Sequence, residues 1–277
     1  MQGIFDKILG VLVLYKCKLE ESETFISISR ALKSNNQNLD LYVYDNSPEY
    51  HYNEDIVKDY PGNITYVHDK SNPGICKPYN KGLEIALYNN KKWLLLLDQD
   101  TELTDNYLLE LNKVLVKDNS YVSVVPVVYS NNTIISPTRY SFLGRMKPIG
   151  KGEYGRIINN ITAINSGACI NVDFLLEIDG FNELFPLDML DHWLYYEINK
   201  NKKYTFILNS RIKHNLSVNN YNTLTIERYE RMIKSEKEFF VKIKHKKLIF
   251  KIKILLRLLK LCLHGRINFA LKTIKYL

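Results

Sequence analysis

Two aspartates one residue apart close the most apolar run in the chain, WLLLLDQDTEL at residues 93–103. The run reads as a buried strand that delivers Asp98 and Asp100 to its end. A carboxylate pair so placed suits a hard divalent cation. Mg²⁺ or Mn²⁺ takes oxygen ligands, commonly one or two carboxylates, with substrate phosphates and water completing the set. At a diphosphate such an ion neutralises charge on a leaving group. The plainer alternative is a solvated strand end that leads into the helix TDNYLLELNKVL, capped by Thr104 or Asp105. A second acidic cluster, FPLDMLDHW, supplies Asp188 and Asp191 later in the chain.

The elements that must position these acids alternate. GVLVLY (residues 10–15) is a short apolar, β-branched run and predicts a strand. SETFISISRALKSN (22–35) sets Phe25, Ile28, Ala31 and Leu32 at helical spacing, with Ser22 or Thr24 as cap. LDLYVYDNSP is a second strand closed by a turn, NITYVHD a third and KKWLLLLD a fourth, with a helix opening at NPG between the last two. Strands alternating with helices imply a mostly parallel sheet covered on both faces. Ligands of such sheets sit beyond the carboxyl ends of the strands, where Asp45, Asp98 and Asp100 fall. Further on, YVSVVPVVY reads as a strand interrupted by Pro126, and GRMKPIGKGEYGR as a mobile loop.

Composition narrows the class. The chain has 277 residues, 45% of them apolar, enough for a full core. Cys17, Cys76, Cys169 and Cys262 form no C-x-x-C pair, so neither a zinc knuckle nor a disulfide framework is expected, which favours a reducing compartment. The opening residues carry Asp6 and Lys7 and read as the lead-in to a strand, not as a secretory leader. Charge is uneven. Residues 234–277 hold 13 Lys/Arg against 2 Asp/Glu, a net of +11, and the other 233 residues carry a net of −3.

The ordered set VLVLYK, LYVYDNSP, NPGICKPYNKGLEIA, LLLLDQDTEL, NSGACI, IDGFNELFPLDMLDHWL and RIKHNLS resembles family 2 glycosyltransferases of the GT-A fold. Within them it resembles the rhamnosyltransferase-like branch of bacterial surface-polysaccharide enzymes, which often carries D-Q-D. The likeness runs over residues 11–217. It implies an α/β GT-A domain, residues 1–220, followed by a basic helical segment, residues 221–277. It also implies an inverting, Mg²⁺- or Mn²⁺-dependent transfer of a sugar from a dTDP- or UDP-linked donor to a lipid-linked saccharide at the cytoplasmic face of the membrane. D-x-D also occurs in haloacid-dehalogenase phosphatases, but there a different pair follows and the motif lies on the first strand.

Carried over by position, the resemblance makes Tyr15, Asp45, Asn72, Gly74 and Asn80 contacts to the donor, with Asp45 accepting from the base. Asp98 and Asp100 hold the metal, and His214 reaches it or the diphosphate. Ser166 and Gly167 form the floor near the acceptor, with His192 and Trp193 beside it. Asp191 is the catalytic base and Asp188 the second choice. Each has a plainer alternative. Asp45 can form an Asx-turn with Ser47. Asp188 can cap the helix carrying Trp193 and Tyr196. His192 can serve packing, His214 can be a strand-end histidine, and Asn80 can sit on a solvated helix face.

The tail, KHKKLIFKIKILLRLLKLCLHGRINFALKTIKYL, places Lys253, Arg257, Lys260 and His264 on one helical face. Leu248, Ile252, Leu255, Leu259 and Cys262 lie on another, and Gly265 breaks the helix before a shorter one. Basic amphipathic helices of this kind lie on anionic membranes. The alternative is a helical pair packed on the catalytic domain, or a homodimer contact, with its lysines in water. Nucleic acid fits poorly, because few aromatics are present to stack on bases. A nucleotidyltransferase on a similar sheet would show a glycine-rich loop after the first strand, which YKCKLEESE lacks. A non-catalytic, membrane-docked relative would have no need of Asp98, Asp100 and Asp191.

Overall fold

The computed structural model describes residues 4–117, 120–140, 146–150, 152–158, 160–214 and 224–277. The expected boundary at residues 220/221, the segment 215–217 of RIKHNLS and Arg145 lie outside the described residues. The first half runs β1 (Ile8–Leu14), α1 (Glu23–Ser34), β2 (Asp40–Asp45), α2 (Glu54–Lys58), β3 (Ile64–His68), α3 (Cys76–Tyr88), β4 (Trp93–Asp98), β5 (Thr101–Glu102) and α4 (Asp105–Lys117). A middle region follows with β6 (Tyr121–Ser130), β7 (Thr133–Ser136), β8 (Thr138–Tyr140), β9 (Met146–Pro148) and β10 (Gly155–Ile158). The remainder is β11 (Ala168–Asn171), α5 (Val172–Glu177), α6 (Leu190–Lys200), β12 (Tyr204–His214), α7 (Ile226–Glu238), α8 (Lys247–Leu263) and α9 (Ile267–Ile274).

The main sheet has the order β10-β12-β6-β11-β4-β1-β2-β3. Its β3-β2-β1-β4 part is wholly parallel, and β11 enters antiparallel between β4 and β6. This is the mixed α/β, largely parallel and helix-flanked architecture of a GT-A fold. Alternation along each strand divides the core. Leu12, Leu14, Leu95 and Leu97 pack with Ile28 and Leu32 of α1 and Leu108 and Leu111 of α4. Val11, Val13, Leu94 and Leu96 pack on the other face with Tyr79, Phe174 and Trp193. Such two-faced burial is why these strands read as uninterrupted apolar runs.

Register explains how the acids meet. Val13 pairs with Asp98 and Leu14 with Asp45, so both acids flank the carboxyl end of β1. The two residues of β5 then pair with the end of β12, His214 opposite Thr101. Ser22 is the cap of α1, accepting from Phe25 N–H, while Thr24 turns to the main-chain oxygens of Asp98 and Thr101. Thr104 caps α4 through Tyr107 N–H.

Two expectations for the middle region are corrected. β6 runs through Pro126, because β12 bulges opposite it: pairing jumps from Val125–Ile207 to Val127–Arg211. A bulge removes the need for the N–H that proline lacks. The stretch read as a mobile loop contributes β9, paired with β8, and β10, an edge strand on β12. Glycine and lysine obscured it because these strands are exposed, short and at the periphery.

In the tail, Gly265, at φ 65°, separates α8 from α9, and the row Leu248, Ile252, Leu255, Leu259 and Cys262 of α8 faces outward. Phe250, Ile254 and Leu261 join the same core as Trp193 and Phe174. Lys253 and Arg257 point inward, each 2.7 Å from a different carboxylate oxygen of the buried Glu236 on α7. Burial pushes the Glu236 carboxyl up, but Arg257 and Lys253 outweigh it and hold the group below the usual glutamate range.

A depressed folded-state pKa contributes stability that is complete above the ordinary value of about 4.3 and lost as pH falls through the lowered one. Glu236→Ala is therefore expected to destabilise the protein near neutral pH by roughly 1–3 kcal/mol in urea denaturation, since it removes the buried carboxylate that Lys253 and Arg257 share. The gap to the parent should narrow in acid. A variant as stable as the parent at pH 7 would contradict the pairing.

Candidate active site

The strand-end acids sit in a tight polar cluster. Ser166 Oγ donates to Asp98 Oδ2 at 2.6 Å, and His214 Nδ1 lies 2.9 Å from Thr101 Oγ1, 3.4 Å from Ser166 Oγ and 3.5 Å from Asp100 Oδ1. His214 is buried, not a surface histidine. Burial pushes the Asp100 carboxyl above the usual range; His214 draws it back, and the like charge of Asp98 adds to the rise. Gly167, at φ 73°, carries the chain from Ser166 into β11, with Tyr107 Oη donating to its carbonyl at 2.8 Å.

Gln99, between the two aspartates, faces the other way. Its Oε1 accepts from Tyr15 N–H at 2.7 Å and its Nε2 donates to Tyr15 O at 3.2 Å. This two-way pairing ties the end of β4 to the end of β1 and leaves the Tyr15 ring half exposed. Asp45 is fully buried, accepting from Ser47 N–H at 2.8 Å and from Tyr66 Oη at 2.5 Å. The Asx-turn is therefore present, and the acid is reached through Tyr66. Around Tyr66 gather Tyr50, Tyr52 and His68, with ring centroids 5.1–6.2 Å apart.

The NPG turn is built by close approach. Asp69 gathers Ser71, Tyr44 and Lys77 on its carboxylate. Asn72 adopts φ 47° and Gly74 φ 88°. A Cβ at Gly74 would stand 2.2 Å from the carbonyl oxygen of Pro186, so glycine is required there on both counts. That same oxygen accepts from Ile75 and Cys76 N–H, which locks the start of α3 to the loop leading into α6. The Asn80 amide pairs in both directions with the main chain of Phe181, at 2.7 and 2.9 Å, and so clasps α3 to that loop.

The loop so held presents the second acidic cluster. Met189 takes φ 71° before α6, and Asp188 does not cap the helix. Asp188 instead lies 3.4 Å from the guanidinium of Arg228 on α7. Burial raises its carboxyl, Arg228 opposes this, and Asp191 adds to the rise. Asp191 stands in the first turn of α6, one oxygen accepting from His192 N–H at 2.7 Å, and it has no ion pair among the described residues. His192 Nδ1 is 2.8 Å from Tyr140 Oη and 3.2 Å from Thr162 Oγ1. Trp193, on α6, is 5% exposed and belongs to the core.

Tyr79, on α3, is a buried tyrosine that sequence reasoning missed. The ring is wholly buried, and its hydroxyl finds no hydrogen-bond partner among the described residues. Burial holds the phenol well above its ordinary pKa, and both Asp98 and Asp191 add to that rise. Tyr140, likewise raised by burial and then by Asp191, and Lys244, whose ammonium sits 3.8 Å from the Tyr140 ring centroid, extend the same wall towards the tail. Among the described residues no three His, Cys, Asp or Glu side chains are gathered as a ready-made metal site. A surface hollow lined by Phe25, Ile26, Arg30 and Lys33 shares none of these residues.

A largely parallel sheet flanked by helices, with acids at the carboxyl ends of its strands, is the arrangement of a GT-A glycosyltransferase. The sequence profile of glycosyl transferase family 2 matches residues 17–176, more than half of the chain, and the protein belongs to that family and is a glycosyltransferase. Asp188, Asp191, His192, Trp193 and His214 lie beyond the matched residues. No protein of curated function matches the chain. As a member of family 2 it uses a nucleotide-sugar donor and a glycan acceptor.

Proposed function

We propose that the enzyme is inverting and uses Mg²⁺ or Mn²⁺ to move a sugar from a nucleoside-diphosphate donor to a hydroxyl of a lipid-linked glycan. The setting is surface-polysaccharide assembly at the inner face of an anionic membrane. The D-Q-D branch resemblance favours dTDP-rhamnose, with UDP-hexoses as the other donors to try. The observation that carries this reading is the polar cluster at the carboxyl end of the parallel strands, where Ser166 Oγ holds Asp98 at 2.6 Å and His214 lies 3.5 Å from Asp100.

The donor set fits a hard dication. Asp98 and Asp100 are like charges at one strand end whose repulsion a cation relieves, and a diphosphate-bound ion needs only one or two carboxylates from the protein. When bound, the ion screens charge on the departing diphosphate. His214 holds a ring nitrogen towards Thr101 and Asp100, which orients that carboxylate. Asp191 takes the proton of the acceptor hydroxyl as its oxygen bonds to the anomeric carbon. The bond from that carbon to the diphosphate oxygen breaks with its electron pair on the leaving group. Attack comes from the face opposite the leaving group, so the configuration inverts and no covalent intermediate forms.

A donor-hydrolysis screen across dTDP- and UDP-sugars, with and without Mn²⁺, tests the reading. Turnover of one nucleotide class in the presence of the ion is expected. Equal turnover in EDTA would overturn metal dependence.

A further inference from the structure

We propose that the outer face of α8 and α9 seats the enzyme on an anionic leaflet by inserting its aliphatic side chains among the lipid headgroups. The proposal deepens the reading above and rests on it for the lipid-linked acceptor. With Phe250, Ile254 and Leu261 turned to the core and Lys253 and Arg257 held by Glu236, α8 leaves a hydrophobic ridge outward. Leu248 is 72% exposed, Leu256 61% and Leu263 85%, with Ile252, Leu255 and Leu259 beside them. α9 repeats the pattern, burying Ala270 and Thr273 while exposing Ile267, Leu271 and Ile274. Apolar exposure on this scale marks an interaction surface.

Charge selects the occupant. From residue 239 to 277 the chain has no Asp or Glu, and Lys246, Lys247, Lys251, Lys260 and Lys275 are exposed around the ridge. A second copy laid on this face would set lysines against lysines with no acid to answer them. A nucleic acid would answer the lysines and leave the leucines in water. A leaflet with anionic headgroups answers both. No helix of the described residues is long and apolar enough to cross a membrane, so the contact lies in the interface plane. The seat also abuts the site: a π-helical turn, Phe239–Ile243, leads from α7 to Lys244, which stacks on Tyr140, the partner of His192.

Co-sedimentation of the full chain with vesicles of phosphatidylcholine, with and without phosphatidylglycerol, tests this. Donor hydrolysis is measured on the same samples so that failure of the transfer reading shows separately. Binding to the anionic vesicles is expected, weakened but not abolished by salt. Leu256→Glu/Leu259→Glu/Leu263→Glu should lower the bound fraction roughly tenfold or more, since charge replaces buried methylenes. Leu263→Glu alone, at the most exposed position, should give a smaller loss in the same direction with the fold intact. Lys247→Gln/Lys251→Gln/Lys260→Gln should remove the preference for phosphatidylglycerol. Leucine variants that bind like the parent, or a parent that binds neither vesicle, overturn the proposal. So does a dimer in sedimentation velocity that the leucine variants dissociate.

Discussion

Replacing Asp191 with asparagine is expected to lower sugar transfer by roughly 10²–10⁴-fold, the range that a positioned general base contributes, while donor affinity stays at the parent level. An asparagine keeps the shape and still accepts the His192 N–H, so the start of α6 is preserved. What is lost is the ability to take a proton. Asp188 cannot substitute, because Arg228 holds it. The measurement is transfer rate beside donor titration on the same preparation. A variant with near-normal turnover would remove Asp191 from the mechanism. A variant that also loses the donor would make it a binding residue.

Asp100→Ala is expected to remove most of the gain in donor affinity that Mn²⁺ provides, read by calorimetry with and without the ion. Loss of a residue that merely supports a metal ligand costs roughly 10–100-fold in metal affinity, and loss of a ligand should cost at least as much. The same variant should not be less stable. The Asp100 carboxyl is raised by burial and by Asp98, so the folded protein disfavours its charged form. A raised folded-state pKa means that stability falls as pH climbs from the ordinary aspartate value of about 3.9 through the raised one. Near neutral pH, alanine should leave the melting temperature unchanged or higher. Unaltered Mn²⁺-dependent binding would show that the ion, if used, sits elsewhere.

Local pattern revealed the parallel half of the sheet because β1, β2 and β4 are buried on both faces and need nothing but apolar residues. It also placed Asp45 and Asp98 at one edge, since chain order and the parallel connection rule fix the ends of such strands together. It could not see long-range partners. Asn80 copied the N-x-G spacing of Asn72 and Gly74, yet its partner is the main chain of Phe181, far along the sequence. Gln99 drew no role of its own from the sequence and is the clip that holds β1 to β4. On α8 both rows of the helical wheel were legible. Which row turned inward depended on Glu236, one buried carboxylate on a different helix. Tyr79 carried no signal at all, because a tyrosine on an amphipathic helix looks like core until its hydroxyl is found without a partner.

The most direct measurement is a crystal structure of the enzyme with Mn²⁺ and a non-hydrolysable dTDP- or UDP-sugar, with the manganese located by anomalous scattering. The account predicts manganese held by Asp98 and Asp100 at the diphosphate, with the Asp191 carboxylate facing the anomeric carbon from the opposite side. Manganese bound away from both aspartates, or Asp191 turned from the sugar, would contradict it.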